Sequence, residues 1–378
     1  MTALPPFRLE RYFSEWEFTA AHHLTASDAE SFSLPDLLAM ASPQDREAFE
    51  TLWLGYTPTW GGADLREAIA QTYVHRSAQD VLCFTGAEEG IYAALTTLLE
   101  PEDHAVVITP TYQALEEIPA SICAVSTVAL DPDDNWSLDV EEVAGALRPN
   151  TKLVAINFPN NPTGAILPRD RFDALVDLCR SRGLWLFSDE AYRPLGPTGT
   201  VHQPQVADVY ERGLSLGVLS KAYGLAGLRV GWIACADRAA LSRLEQTKHY
   251  LSICNAGPSE RLAVIALRAR AAILERNCEL VSRNLAVLDD FFSARTDRFE
   301  WRGPAGGCVA FPRYLGREGV EDFTRELVEE SGVMLLPASL YRSRFGPTPI
   351  DRFRIGFGRA SFGTALAAFA EHLDRRRP

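Results

Sequence analysis

An alternation running through the middle of the chain narrows the possible folds more than any other feature. Five short runs, VLCFTG, HAVVITP, KLVAINFP, LWLFSDE and GLSLGVLS, are apolar and rich in β-branched or aromatic residues. Helical stretches separate most of them: EGIYAALTTLL, YQALEEIPASI and RDRFDALVDLCRSRG. A strand that is apolar on both sides cannot face water. Such strands spaced by helices predict an α/β fold, with a mostly parallel sheet covered on both faces. In sheets of this kind the ligand sits beyond the carboxyl ends of the strands. Several polar segments bearing Gly or Pro fall at those ends: TGAEEG, TPTYQ, NFPNNPTG, SDEAYR and LSKAYGLAGLRVG. The chemistry is expected there.

The flanks read differently. Residues 1 to about 45 are expected to be an irregular arm, with a short helix at Leu34–Met40 after Ser33. From Asp64, LREAIAQTYVHR has a helical pattern, and Gly61-Gly62 before it is a natural turn. Beyond about residue 255 a long helical stretch, SERLAVIALRARAAILERNCELVSRNLAVLDDFFSAR, leads into short strands and two further helices. At 378 residues the chain is long for one core. The expected division is an N-terminal arm at 1–45, a large domain at 46–255 and a smaller α+β domain at 256–378.

Charge and composition exclude several function classes. With 37 basic and 50 acidic residues, the net charge is −13. That field repels phosphate backbones, so nucleic acid is not an expected partner. No uninterrupted apolar stretch approaches the roughly 18 residues that span a bilayer. The N-terminus mixes prolines, charges and aromatics instead of forming a secretory signal, so a cytoplasmic protein without a membrane partner is expected. Seven scattered cysteines without a C-x-x-C pair predict neither disulfides nor a metal site.

Taken singly, the polar loops say little. Gly86-Ala87-Glu88-Glu89 opens a helix after a strand and could hold a phosphate on backbone N–H groups, yet it also reads as an ordinary turn. Neither G-x-G-x-x-G nor a Walker lysine is present. Asp189 ends an apolar strand, where a carboxylate must be paired or solvated. Lys221 lies at a strand end before a Gly-rich stretch. A partly buried amine with a depressed pKa is what Schiff-base chemistry needs.

The ordered set GAEEG, PTYQ, NNPTG, SDEAY, SKAYGLAGLRVG and FRIGFG resembles the class I/II aminotransferases of pyridoxal-phosphate fold type I. The likeness runs from about residue 50 to the end. GAEEG and LSKAYGLAGLR are most similar to the histidinol-phosphate aminotransferase branch. The resemblance implies a large domain with a mostly parallel seven-stranded sheet, a smaller α+β domain and pyridoxal 5'-phosphate as cofactor. It implies that Lys221 bonds the cofactor and moves the α-proton, while Asp189 pairs with the pyridinium nitrogen. Asn161 and Tyr192 would hydrogen-bond the phenolic oxygen, and Tyr112 would stack on the ring. Gly86, Ala87, Glu88, Ser220 and Arg229 would surround the phosphate. Tyr56 would reach the phosphate of a neighbouring subunit, implying a homodimer with shared active sites. Arg354 would take the substrate carboxylate, with Asn161 beside it.

Some positions depart from that pattern. Val218 stands where many relatives have a hydroxyl on the phosphate. Glu88 and Glu89 place two acids beside it, so their side chains are expected to point away. The arm is loosely similar to that of capreomycidine synthase-like enzymes, which act on hydroxylated arginine. Glu17, Asp28 or Glu30 would then contact a cationic substrate. Alternatively, Trp16 and Phe18 simply anchor the arm and Glu17 is solvated; His22-His23 read as arm surface. The activity implied is transfer of an amino group between an amino acid and a 2-oxo acid. A lyase or cyclase with the same cofactor is the second possibility. A third, a regulator built on this fold, is opposed by the intact Lys221 and by the lack of a basic helix-turn-helix.

Overall fold

A computed structural model describes residues 3–376 of the chain. The five apolar runs all become strands, and two more join them. We number the strands of this sheet β1 (Val81–Phe84), β2 (His104–Thr109), β3 (Ala124–Ala129), β4 (Thr151–Asn157), β5 (Trp185–Asp189), β6 (Gly213–Val218) and β7 (Gly231–Ala234). Their order across the sheet is β1-β7-β6-β5-β4-β2-β3. Only β7 runs antiparallel, against β1 on one side and β6 on the other. The two unforeseen strands have local reasons for being hidden. β3, AVSTVA, is an edge strand with one fully buried residue, so it lacks an apolar run. β7 is a four-residue strand beside a Gly-rich loop.

This topology gathers the polar loops. Between β2 and β4 the chain changes direction: from β2 it steps outward to β3, and from β4 it steps the other way to β5 and β6. A crevice opens at such a switch point, beyond the carboxyl ends. Because the antiparallel β7 intervenes, β1 points the same way as β6. The loop at Gly86 therefore joins the same end.

Elsewhere the sequence pattern was too generous or too sparse. Helix Ala63–Ala70 stops well before His75. The Asp208 carboxylate instead takes the N–H groups of Val74 (2.9 Å) and His75 (2.8 Å). The long C-terminal helical stretch is two helices, Gly257–Arg268 and Arg270–Ser293, broken at Ala269. In the arm, the helix at Leu34–Ala39 forms as expected, capped by Ser33. A second helix, Arg8–Trp16, was not foreseen. It buries only Leu9 and has no side-chain cap, so it carries no start signal.

A separate three-stranded antiparallel sheet has β8 (Phe353–Gly356) at its centre, between Val309–Ala310 and Leu336–Pro337. Phe292, Phe299, Phe323, Phe353 and Phe369 pack edge and face into its core. The arm is stitched to it: His22–His23 pairs in parallel with Val333–Met334. Trp16 packs against the core, whereas Phe18 is 90% exposed and anchors nothing. All seven cysteines are free thiols, four of them buried. Among the described residues no helix is long and apolar enough to cross a membrane, and no cluster of His, Cys, Asp or Glu suits a metal.

Candidate active site

The switch-point crevice is a cavity of about 260 Å³ whose lining includes Tyr112, Asn161, Asp189, Lys221, Arg229 and Arg354. Of the residues expected at the site, Ala87, Glu88, Tyr192 and Ser220 also line it. Tyr112, Asn161, Asp189 and Lys221 lie at or just beyond strand ends, whereas Arg229 precedes β7 and Arg354 lies within β8. Asn157 and Asp189 are paired in register as the last residues of β4 and β5. The Asn157 amide then holds the next loop: Nδ2 donates to the Asp189 carbonyl (3.0 Å), and Oδ1 accepts from the Asn161 N–H (2.8 Å).

One wall is built for an anion. Gly86 has φ +86° and precedes helix Ala87–Leu98, whose first turn has no side-chain cap. The first backbone N–H groups of an uncapped helix are unsatisfied and point along a positive dipole. Glycine suits the positive φ of residue 86, and a Cβ there would stand 2.4 Å from Arg229 Nη2 and displace the guanidinium. Arg229, itself at φ +52°, is steadied by the Ala226 carbonyl (3.2 Å) and Ser220 Oγ (3.4 Å). Helix end, hydroxyl and guanidinium converge as a phosphate requires.

Deeper in the cavity Asp189 is 6% exposed and accepts the Ala191 N–H at 3.1 Å. Burial raises its pKa to about 6, with the nearby Lys221 charge opposing. Among the described residues no cation lies within ion-pair distance of it. Lys221 follows β6, and burial pushes its amine below the usual lysine range, opposed by Asp28 and Asp189. The amine donates to Ser27 Oγ at 2.7 Å. Tyr192 Oη is buried and makes no well-formed hydrogen bond, although Ser27 lies close by. Tyr112 is flanked by Phe7 of the arm, ring centroids 5.3 Å apart.

Arg354, on β8, is 1% exposed rather than a surface strand arginine. Nη1 donates to Asn161 Oδ1 (3.0 Å) and Nη2 to the Thr25 carbonyl (2.6 Å), while Nε has no partner. No carboxylate of the described residues pairs with it. A buried guanidinium without an anion is costly unless a ligand supplies one.

One expectation needs correction, that both acids at the helix start point away from the phosphate. Glu89 points away, accepting the N–H groups of Thr85 and Ser252. Glu88 does not: its carboxyl lines the cavity, bonds Tyr112 and has its pKa raised to about 7 by burial. Consecutive helix residues point about 100° apart, which turns Glu89 away from Glu88 and toward the Ser252 backbone. Tyr56 is 87% exposed and lies on a separate surface hollow. Glu17 lies in an outer vestibule with Asp28 and Glu30. Those last two are engaged by Arg359, at 2.7 Å and 4.0 Å. Glu10, Phe13 and Ser27, all from the arm, also line the cavity and were missed. No local pattern marks them, because only the docking of the arm brings them there.

The pocket's donors fit pyridoxal 5'-phosphate: an anion cradle, a buried carboxylate without a cation, a lysine and flanking aromatic rings. The chain matches the model of the family "Aminotransferase class I and II" over residues 28–365. It belongs to that family of pyridoxal-phosphate-dependent enzymes. Across 98% of its length it is 31% identical to capreomycidine synthase of Streptomyces vinaceus, covering 94% of that protein. Its fold superposes on a PLP-dependent aminotransferase from Streptococcus suis with TM-score 0.92 and 28% identity, both chains covered in full. The PLP-dependent cyclase OrfR matches with TM-score 0.88 and 26% identity, over 100% of this chain and 99% of that one. When bound, the cofactor supplies an electron sink for the carbon that carries the amino group. The enzyme is thus an aminotransferase of this class, acting on amino acids and 2-oxo acids.

Proposed function

We propose that the cavity transfers the amino group of an amino acid whose side chain ends in a cation. One observation carries this reading: the cavity holds a buried guanidinium without a carboxylate and, besides Asp189, two carboxyl groups without a cation, Glu10 and Glu88. Arg354 would take the substrate carboxylate in a fork, leaving the α-carbon beside Lys221. Glu88 and Glu10 share the cavity, and the proximity of Glu10 contributes to raising the Glu88 pKa. Neither forms an ion pair among the described residues. A distal ammonium or guanidinium would relieve their repulsion, and Glu17 extends the acidic wall outward. Asp189 would hold the positive charge on the ring nitrogen, and Gly86, Ala87, Ser220 and Arg229 the phosphate.

The test is to incubate the holoenzyme with single cationic and neutral amino acids and to identify products by mass. Arg354→Lys should raise KM for every amino acid about tenfold or more, since it loses a charge-assisted bond. Glu10→Gln and Glu88→Gln should raise KM for arginine-like substrates only. Equal effects on neutral amino acids would remove the cation subsite. A second reading, elimination followed by ring closure, is favoured by full-length likeness to a cyclase, arm included. Loss of water or ammonia with the cofactor form unchanged would select it over transfer.

We also infer a homodimer in which Tyr56 completes the neighbouring site. Tyr56 (87%), Trp53 (82%), Leu54 (80%) and Tyr250 (93%) are large hydrophobic residues left open to solvent. Such exposure marks an interaction surface. Mixing Lys221→Ala with Tyr56→Phe subunits, each inactive alone, should restore activity through one fully native site per hybrid. No recovery after proven subunit exchange would overturn the shared site.

A further inference from the structure

Residues Leu24–Glu30 of the arm run between β8 and the loop that carries Lys221, and both flanks grip them. The Gly356 N–H donates to the Leu24 carbonyl (2.7 Å), Arg354 Nη2 to the Thr25 carbonyl (2.6 Å) and the Ala29 N–H to the Lys221 carbonyl (3.0 Å). Three glycines make the room. A Cβ on Gly356 would lie 1.9 Å from the Ala26 carbonyl oxygen, and one on Gly358 2.2 Å from that of Asp28. On Gly224 it would lie 2.4 Å from that of Glu30. Backbone held this closely leaves residue 27 little freedom. Its hydroxyl meets the Lys221 amine at 2.7 Å.

We propose that Ser27 is a catalytic residue, whose hydroxyl holds the Lys221 amine while that amine takes the α-proton from the substrate. A hydroxyl accepts through its oxygen and donates its own hydrogen elsewhere. By accepting one amine N–H, Ser27 leaves the nitrogen lone pair free to face the substrate carbon. The α C–H bond then breaks, its proton passes to Nζ, and its electrons stay with the carbon. Nζ becomes an ammonium, and the bond to Ser27 becomes charge-assisted and stronger. An interaction that strengthens as the proton arrives lowers the barrier instead of merely tightening binding. The other groups facing this amine are Asp28 from the same segment, Asp189 from β5, Arg354 from β8, Cys308 and the ring of Tyr192. None of the carboxylates among them is within ion-pair distance of Nζ, so Ser27 is its hydrogen-bonded partner.

The inference rests on Lys221 being the lysine that bonds the cofactor, which borohydride labelling of Ser27→Ala holoenzyme checks separately. Ser27→Ala should lower kcat about tenfold, the value of one charge-assisted bond. KM for the amino acid should change less than about twofold, and the isotope effect with α-deuterated substrate should rise, because only a transition-state contact is lost. In cofactor-free protein, the pH midpoint for recombination with pyridoxal phosphate should fall by about one unit, as tenfold less stabilisation of the ammonium requires. Ser27→Thr should restore both readouts. An unchanged isotope effect and midpoint in Ser27→Ala would overturn the proposal. So would Ser27→Thr behaving like Ser27→Ala, or a raised KM with kcat intact.

Discussion

Lys221→Ala is expected to fold, to bind pyridoxal phosphate without fixing it, and to lose turnover by at least about 10²–10⁴-fold. That range is the general acid–base contribution alone, before loss of covalent attachment. The fold should survive because the side chain is tied to the body by one hydrogen bond to Ser27 Oγ, at 2.7 Å, and by a contact with the Tyr192 ring, 5.8 Å from its centroid. No ion pair depends on it. Borohydride treatment of wild type should leave a stable cofactor label on the peptide that contains Lys221. Label on another lysine would overturn the assignment. The buried Lys248 is the instructive control. Its amine is spent on the Thr59 and Cys83 carbonyls and Asn255 Oδ1, at 2.6, 2.7 and 2.8 Å, outside the cavity.

Asp189→Asn should keep the cofactor but lose about ten- to a hundredfold in kcat. An amide still hydrogen-bonds the ring nitrogen, yet it cannot balance a positive charge there. The charge-assisted bond is worth about 1.5–3 kcal/mol, and each 1.4 kcal/mol is about tenfold. A pH series supplies an independent readout. Burial sets the Asp189 pKa at about 6. Below that value the carboxyl is protonated and neutral, so cofactor affinity should weaken as pH falls through it. A positive ring nitrogen opposite would move the midpoint lower still. In Asp189→Asn this dependence should disappear, since an amide does not titrate in that range. Near-normal turnover of the variant would show that another group governs the ring.

What could be read along the chain followed from repetition and from local chemistry. Fully apolar runs spaced by helices specify a covered parallel sheet, because such strands have no face to give to water. Once the sheet is parallel, its strand ends share one edge, and Tyr112, Asn161, Asp189 and Lys221 must converge there. The anion cradle was legible for the same reason: a glycine turn opening a helix presents its N–H groups whatever lies around it.

The arm was not legible. RLERYFSEW gives no cap and buries one residue, so its helical state depends on docking beside Gln113 and Tyr112. The surroundings of Glu88 depended on the same docking, which brings Glu10 of the arm into its cavity. Asp28 and Glu30 were plausible contacts for a cation until Arg359, more than three hundred residues away in sequence, was seen to occupy them.

Periodicity and local chemistry along the chain therefore specify five of the seven strands, the sheet edge where the polar loops gather and most of the groups that line the cavity. Those depend on periodicity and on backbone geometry within a few residues. Long-range packing was needed to show which acids line the cavity, that Arg354 is buried without an anion, and that Ser27 meets the Lys221 amine. Each of these contacts joins segments far apart in the chain. A side chain's partners are set by what packs against it, and no pattern within one segment carries that information.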